Sequence, residues 1–250
     1  MAKLEYLIVG ESHIYAMGAP GGYCAPVGLI KTPDDMGYFV MEPGYGGRSG
    51  NYWRKAVEWS KGRDVLIVYG GNQHYGGFMF APEPLFDFFD ELTPGLVDGA
   101  KLVPRRLVEA YFEPSLNQLR LLIPQIFAAG CSSIRLIGTP PPKADLHAFT
   151  KMIRESEFAK GFAQRNGIDL VRVNITPASL LLKLWRVVQQ LTAKAATDNH
   201  AVFVPVPAEA IDTQGFLAKP FYSYVPSHAT HANRAFGHLM LEHALQTLTS

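Results

Sequence analysis

Short apolar runs alternate with longer amphipathic stretches along this chain. Residues 4–9, 38–41, 65–69 and 134–137 are near-continuous apolar segments of strand length. Parallel strands covered by helices on both faces read this way. Between and after them come helix-like segments at 51–61, 105–129, 148–166, 180–196 and 233–248. In the last, Phe236, Leu239, Met240, His243 and Ala244 fall on one stripe. Pro114 and Pro124 should break or kink the 105–129 pattern, because proline has no N–H to donate and its ring crowds the preceding turn. The fifth strand is read at 202–206, with the apolar run at 168–173 as its rival. This alternation predicts βαβ units and a mostly parallel, five-stranded sheet.

The chain shows no internal repeat, low-complexity tract or interdomain linker, so residues 1–250 are read as a single domain. Two stretches exceed a normal loop. Residues 75–104 are rich in glycine, proline and aromatics, and Thr139-Pro140-Pro141-Pro142 follows the fourth strand directly. Loops at the C-terminal ends of parallel strands are where α/β sheets build their sites. The aromatics of the first stretch, Tyr75, Phe78, Phe80, Phe86, Phe88 and Phe89, suit either a local core or the lining of an acyl or sugar cleft.

Composition narrows the picture. Hydrophobic residues make up 48% of the 250, as expected of a folded globular chain. A net charge of +1 gives no electrostatic reason to expect nucleic acid or an anionic membrane as partner. Arg105-Arg106 reads as solvated surface at a helix start. Cys24 and Cys131 form no disulfide framework and read as reduced thiols. No signal peptide is visible, and no apolar run approaches the ~20 residues that span a bilayer. The expectation is a soluble, cytoplasmic protein.

Four blocks carry candidate chemistry, each just after an apolar run or in the last loop. They are Gly10-Glu11-Ser12, Gly46-Gly47-Arg48-Ser49-Gly50, Gly70-Gly71-Asn72 and His228-Ala229-Thr230-His231. A serine hydroxyl is a weak nucleophile and needs a base, usually histidine. The oxyanion formed by its attack needs preorganised donors. Ser12 offers a hydroxyl and a backbone N–H, Gly47 a backbone N–H, Asn72 a side-chain amide and His231 an imidazole. Each also has a plainer role: helix cap for Ser12, tight turn for the glycines and Asn72, helix start for His231. His13, His74, His228 and His231 invite a metal reading. The chain nevertheless lacks His-Glu-x-x-His and the usual Cys/His zinc spacings, so no metal is assigned. His238 and His243 lie in the last helix and read as structural. The glycine-rich 44–50 segment lacks the Gly-Lys-Ser/Thr ending of a phosphate loop.

In order and spacing these blocks resemble the SGNH (GDSL-type) hydrolase family. Asn233 and Gly237 continue the last block, and the Thr-Pro-Pro-Pro run resembles a further family feature. The resemblance implies a three-layer α/β/α domain acting as a serine esterase without a cofactor, with a small acyl group on a carbohydrate as the first expected substrate. It assigns Ser12 as nucleophile, His231 as base, and Ser12 N–H, Gly47 N–H and Asn72 as the oxyanion hole. Two positions depart from the pattern. Glu11 replaces an aspartate, and His228 stands where the family has the triad acid. The chain then runs on a Ser12–His231 dyad, or another group, His228 included, orients His231. An acyltransferase with the same intermediate, or a silent domain binding a glycan or a protein, are the alternative readings. Oligomeric state is not legible in the sequence.

Overall fold

The structure, a computed structural model, describes residues 5–44, 48–225 and 228–249. Leu4, at the start of the first expected strand, and Gly46 and Gly47 lie outside the described residues.

The central sheet has six strands: β1 (Tyr6–Gly10), β2 (Gly28–Lys31), β3 (Gly37–Met41), β4 (Asp64–Val68), β7 (Ser133–Ile137) and β8 (Val202–Val204). Their order is β2-β3-β1-β4-β7-β8. Every pairing is parallel except that of β2 with β3. The five expected strands are all present, and 202–204 rather than 168–173 supplies the last. The sixth, β2, is an antiparallel edge between Pro26 and Pro33, too short and too half-buried to announce itself as an apolar run.

The sheet is buried on both faces, which is why its strands read as unbroken apolar runs. Along β1, Leu7 and Val9 enter one core and Tyr6 and Ile8 the other. The first face is covered by α1 (Gly50–Trp59), α4 (Asn117–Ala128) and α7 (Ala178–Asp198). The second is covered by α8 (Arg234–Thr249), through Phe236, Met240 and Ala244. This gives three layers.

The helices differ from the periodic pattern where local chemistry intervenes. The expected 105–129 helix is split into α3 (Arg105–Phe112) and α4 by a 3₁₀ turn holding Pro114, while Pro124 is accommodated inside α4. The expected 148–166 helix is two: α5 (Leu146–Glu155) and α6 (Glu157–Arg165). Ser156 breaks them with an extended backbone, and its hydroxyl accepts the Ala159 N–H at the head of α6. Arg105 is no free basic patch, since it pairs with Asp90 and Glu109.

The 75–104 stretch holds α2 (Gln73–Phe78) and a two-residue parallel pair, β5 (Phe86–Asp87) with β6 (Lys101–Leu102). A fully buried ion pair docks it on α7. Lys183 Nζ lies 3.0 Å from both Asp87 carboxylate oxygens and also donates to the Phe88 and Gly95 carbonyls. Asp87 in turn accepts the N–H groups of Phe88 and Val97. All polar valences of the pair are used, the condition under which a buried charge pair is tolerated.

Candidate active site

The C-terminal end of β1 presents Ser12 on a single 3₁₀ turn, Ser12–Tyr15. The strand end is pinned from α1 and the segment before it. Gly10 N–H donates to the Tyr52 hydroxyl at 2.8 Å, and Gly10 O accepts from Arg48 Nε at 2.6 Å and from Tyr52 at 3.2 Å. The Arg48 guanidinium is buried and lies over the Tyr52 ring. Sequence reasoning missed this clamp. The only trace was an arginine and an α1 tyrosine close behind the glycine block.

His231 approaches from the other side of the chain. Its Nε2 is 2.8 Å from Ser12 Oγ, across 219 positions of sequence. Two later residues place it. Asn233 donates its side-chain amide to the Pro220 and Tyr222 carbonyls, and its Oδ1 accepts the Phe236 N–H near the start of α8. Gly237 lets α8 lie against the serine turn, where any Cβ would strike the Ala16 carbonyl. The Ser12 turn and the helix following His231 are thus fixed to each other.

The Nδ1 of His231 faces Thr230 Oγ1 at 3.3 Å. For Nε2 to accept the Ser12 proton, Nδ1 must carry the ring hydrogen, and the Thr230 oxygen is placed to accept it. His228 is exposed, its Nδ1 is 3.4 Å from Ser223 Oγ, and its ring centroid is 6.0 Å from that of His231. No hydrogen bond joins the two imidazoles, and no carboxylate bonds to His231, among the described residues. Burial first, then the neighbouring His228 and Lys143, push the His231 pKa down to about 4. The ring is therefore neutral near pH 7, the form in which Nε2 can accept a proton.

Asn72 stands at the head of α2. The positive φ of Gly71, +98°, makes the sharp turn out of β4, and a Cβ there would collide with Thr139 and His13. Gln73 accepts the Gly71 N–H, so that donor is committed. The Asn72 side chain makes no capping bond. His13 sits against it, and neither His13 Nε2 nor Asn72 Oδ1 has a hydrogen-bond partner of normal geometry. The Ser12 N–H donates to no group among the described residues. Gly47, the third expected donor, lies outside them.

His13 and His74 are buried, and burial disfavours the charged form of each. His13 stacks on His231 with ring centroids 4.6 Å apart. Burial, then His231 and His74, hold its pKa well below the ordinary value. Burial pushes His74 down to about 3. Among the described residues no three His, Cys, Asp or Glu side chains are placed to hold a metal ion. Glu11 is half-buried. Its carboxyl is raised by burial, against the opposing pull of Arg48 and a hydrogen bond from the Gly70 backbone. Cys24 and Cys131 are both free.

A cavity of about 710 Å³ opens along α2 and the segment after it. Tyr75, Phe80, Phe162 and Ile175 give it apolar walls, and Asn166 and Asn174 add amides. Of the aromatic stretch, Tyr75 and Phe80 line this cavity, whereas Phe78 packs with Phe86, Tyr111 and Phe112, and Phe88 is in the core. No helix of the described residues is long and apolar enough to cross a membrane.

No protein-family model matches the chain, and no curated protein matches it in sequence. Solved structures do match. An extracellular lipase from Streptomyces rimosus is 14% identical with a TM-score of 0.55, over 98% of this chain and 99% of that one. A mutant of Axe2, an acetyl-xylooligosaccharide esterase from Geobacillus stearothermophilus, is 13% identical with a TM-score of 0.50, over 97% and 93%. A member of the lipolytic G-D-S-L family from Veillonella parvula is 12% identical with a TM-score of 0.45, over 98% of each chain. The chain thus has the three-layer fold of the SGNH (GDSL-type) hydrolases.

Proposed function

We propose that this protein is a serine esterase that cleaves a carboxylic ester, with a small acyl group on a carbohydrate as its substrate. The observation carrying the proposal is the 2.8 Å contact between Ser12 Oγ and His231 Nε2 at the end of the central strand. Ser12 Oγ attacks the carbonyl carbon while its proton passes to Nε2. The C–O bond of the tetrahedral intermediate then breaks, and Nε2 returns the proton to the departing alkoxide. Water, deprotonated by the same nitrogen, hydrolyses the acyl-enzyme. Ser12 N–H, Gly47 N–H and the Asn72 amide bind the oxyanion. No cofactor takes part.

The carbohydrate assignment draws on the aromatic faces and amides of the cavity along α2, which suit a sugar ring and its hydroxyls; its lining starts at Tyr75, beyond Asn72, and does not include Ser12 or His231. The same fold carries an acetyl-xylooligosaccharide esterase. Treating the protein with a fluorophosphonate tests the reaction class. A covalent adduct mapped to Ser12 by mass spectrometry is expected. An adduct elsewhere, or none with a small probe, rejects the serine-esterase reading.

The oxyanion role makes a separate prediction. Asn72→Ala should lower kcat on the order of a hundredfold and leave KM nearly unchanged, because the amide bonds mainly to developing charge. A variant with normal kcat and a raised KM would move Asn72 to ground-state binding.

A further inference from the structure

We propose that Lys143 is the positioning residue of the base: its buried ammonium gathers the backbone of the loop that carries His231 and so aims the imidazole at Ser12. The inference rests on the reading of Ser12 and His231 as the reacting pair. Lys143 comes directly after Pro140-Pro141-Pro142 at the end of β7, where three fixed φ angles preset its position. It is only 6% exposed. Its Nζ donates to the carbonyls of His228 at 3.2 Å, Ala229 at 2.6 Å and His231 at 3.0 Å. An ammonium has three protons, and all three are spent on one four-residue segment.

The charge is unusual in its surroundings. No carboxylate lies within ion-pair distance of Lys143 among the described residues. The groups facing it are the Tyr222 ring, 6.0 Å from Nζ, the Tyr75 hydroxyl on its backbone, and His228 and His231 themselves. A buried cation without a counter-ion is costly, and three convergent carbonyls are what makes it tolerable here. Those carbonyls must point at one atom, which constrains the turn closed by His231 N–H on His228 O at 3.0 Å. The loop backbone, not a carboxylate behind Nδ1, then sets where the His231 ring points. The ammonium also helps hold the His231 pKa low. Burial depresses Lys143 itself to about 8. Above that pH the amine keeps two protons for three carbonyls, and the clamp loosens.

Lys143→Met and Lys143→Arg test this, with 15N-histidine NMR titration of His231 and the pH profile of p-nitrophenyl acetate turnover as readouts. The Met variant should lose kcat by on the order of tenfold to a hundredfold at little change in KM, as expected for a misaimed base. Its His231 pKa should rise, since a neighbouring positive charge is gone. Wild type should show a fall in kcat near pH 8 that the Met variant lacks, and the Arg variant should recover part of the activity. A folded Met variant with wild-type kcat and an unmoved His231 titration overturns the proposal. If the Met variant does not fold, the wild-type profile decides: kcat and His231 signals that stay flat from pH 7 to 9.5 overturn it. Should wild type show neither turnover nor a Ser12 adduct while Lys143→Met still moves the His231 titration, the esterase reading fails and the placement of His231 by Lys143 stands.

Discussion

Ser12→Ala should leave a folded protein that no longer turns over a simple acyl ester. The substitution removes one oxygen from a partly buried side chain. The hydrogen bonds that hold the serine turn, such as Ile14 N–H to Glu11 O at 3.1 Å, are backbone bonds and survive. The clamp of Tyr52 and Arg48 on Gly10 also survives. Only the proposed nucleophile is lost, and His231 then has no proton to accept. The expected loss in kcat is on the order of 10⁴-fold to 10⁶-fold, the scale seen when a member of such a unit is removed. Because the two side chains act together, Ser12→Ala/His231→Ala should be no worse than either single change. Circular dichroism and thermal melting check the fold, and burst kinetics with an activated ester check the chemistry. A folded Ser12→Ala protein with wild-type turnover would show that another group attacks.

Much of this arrangement was legible because two physical constraints write directly into sequence. Strands buried on both faces must be continuously apolar, so β1, β3, β4, β7 and β8 stood out. Sites at the ends of parallel strands must follow those runs, so Ser12 and Asn72 stood out as candidates by position. What was not legible lacked such a signature. The edge strand β2 needs only one paired side and carries no long apolar run. Pro114 and Pro124 look alike in sequence, yet one sits in a 3₁₀ break and the other inside α4, a difference set by packing. Lys143, Tyr52 and Arg48 act on the site through backbone carbonyls and N–H groups. Such contacts demand a donor at a point in space and no particular sequence motif. Thr230 was adjacent to His231 in the sequence, but its orientation toward Nδ1 is visible only in three dimensions.

His231→Ala should be as damaging as Ser12→Ala, while His228→Ala should cost little. The asymmetry follows from where each ring sits. His231 Nε2 holds the Ser12 hydroxyl, whereas His228 is exposed and faces Ser223. The proposed reaction needs neutral His231, whose pKa is pushed to about 4 by burial, His228 and Lys143. The acid limb of kcat/KM in wild type should therefore lie near pH 4, below the ~6.5 of an ordinary histidine. Activity is present above that limb and lost as pH falls through it. His228→Ala removes a neighbour that disfavours the imidazolium, so the limb should move to higher pH. His228→Asp goes further: a carboxylate stabilises the imidazolium, moves the limb up again and should raise the plateau kcat, as the acid of a complete triad does. The measurement is kcat/KM from pH 3.5 to 8 for wild type and the three variants. A wild-type limb near 6.5 that none of the His228 changes moves would reject this electrostatic account. Full activity in His231→Ala with a dead His228→Ala would reverse the roles of the two histidines.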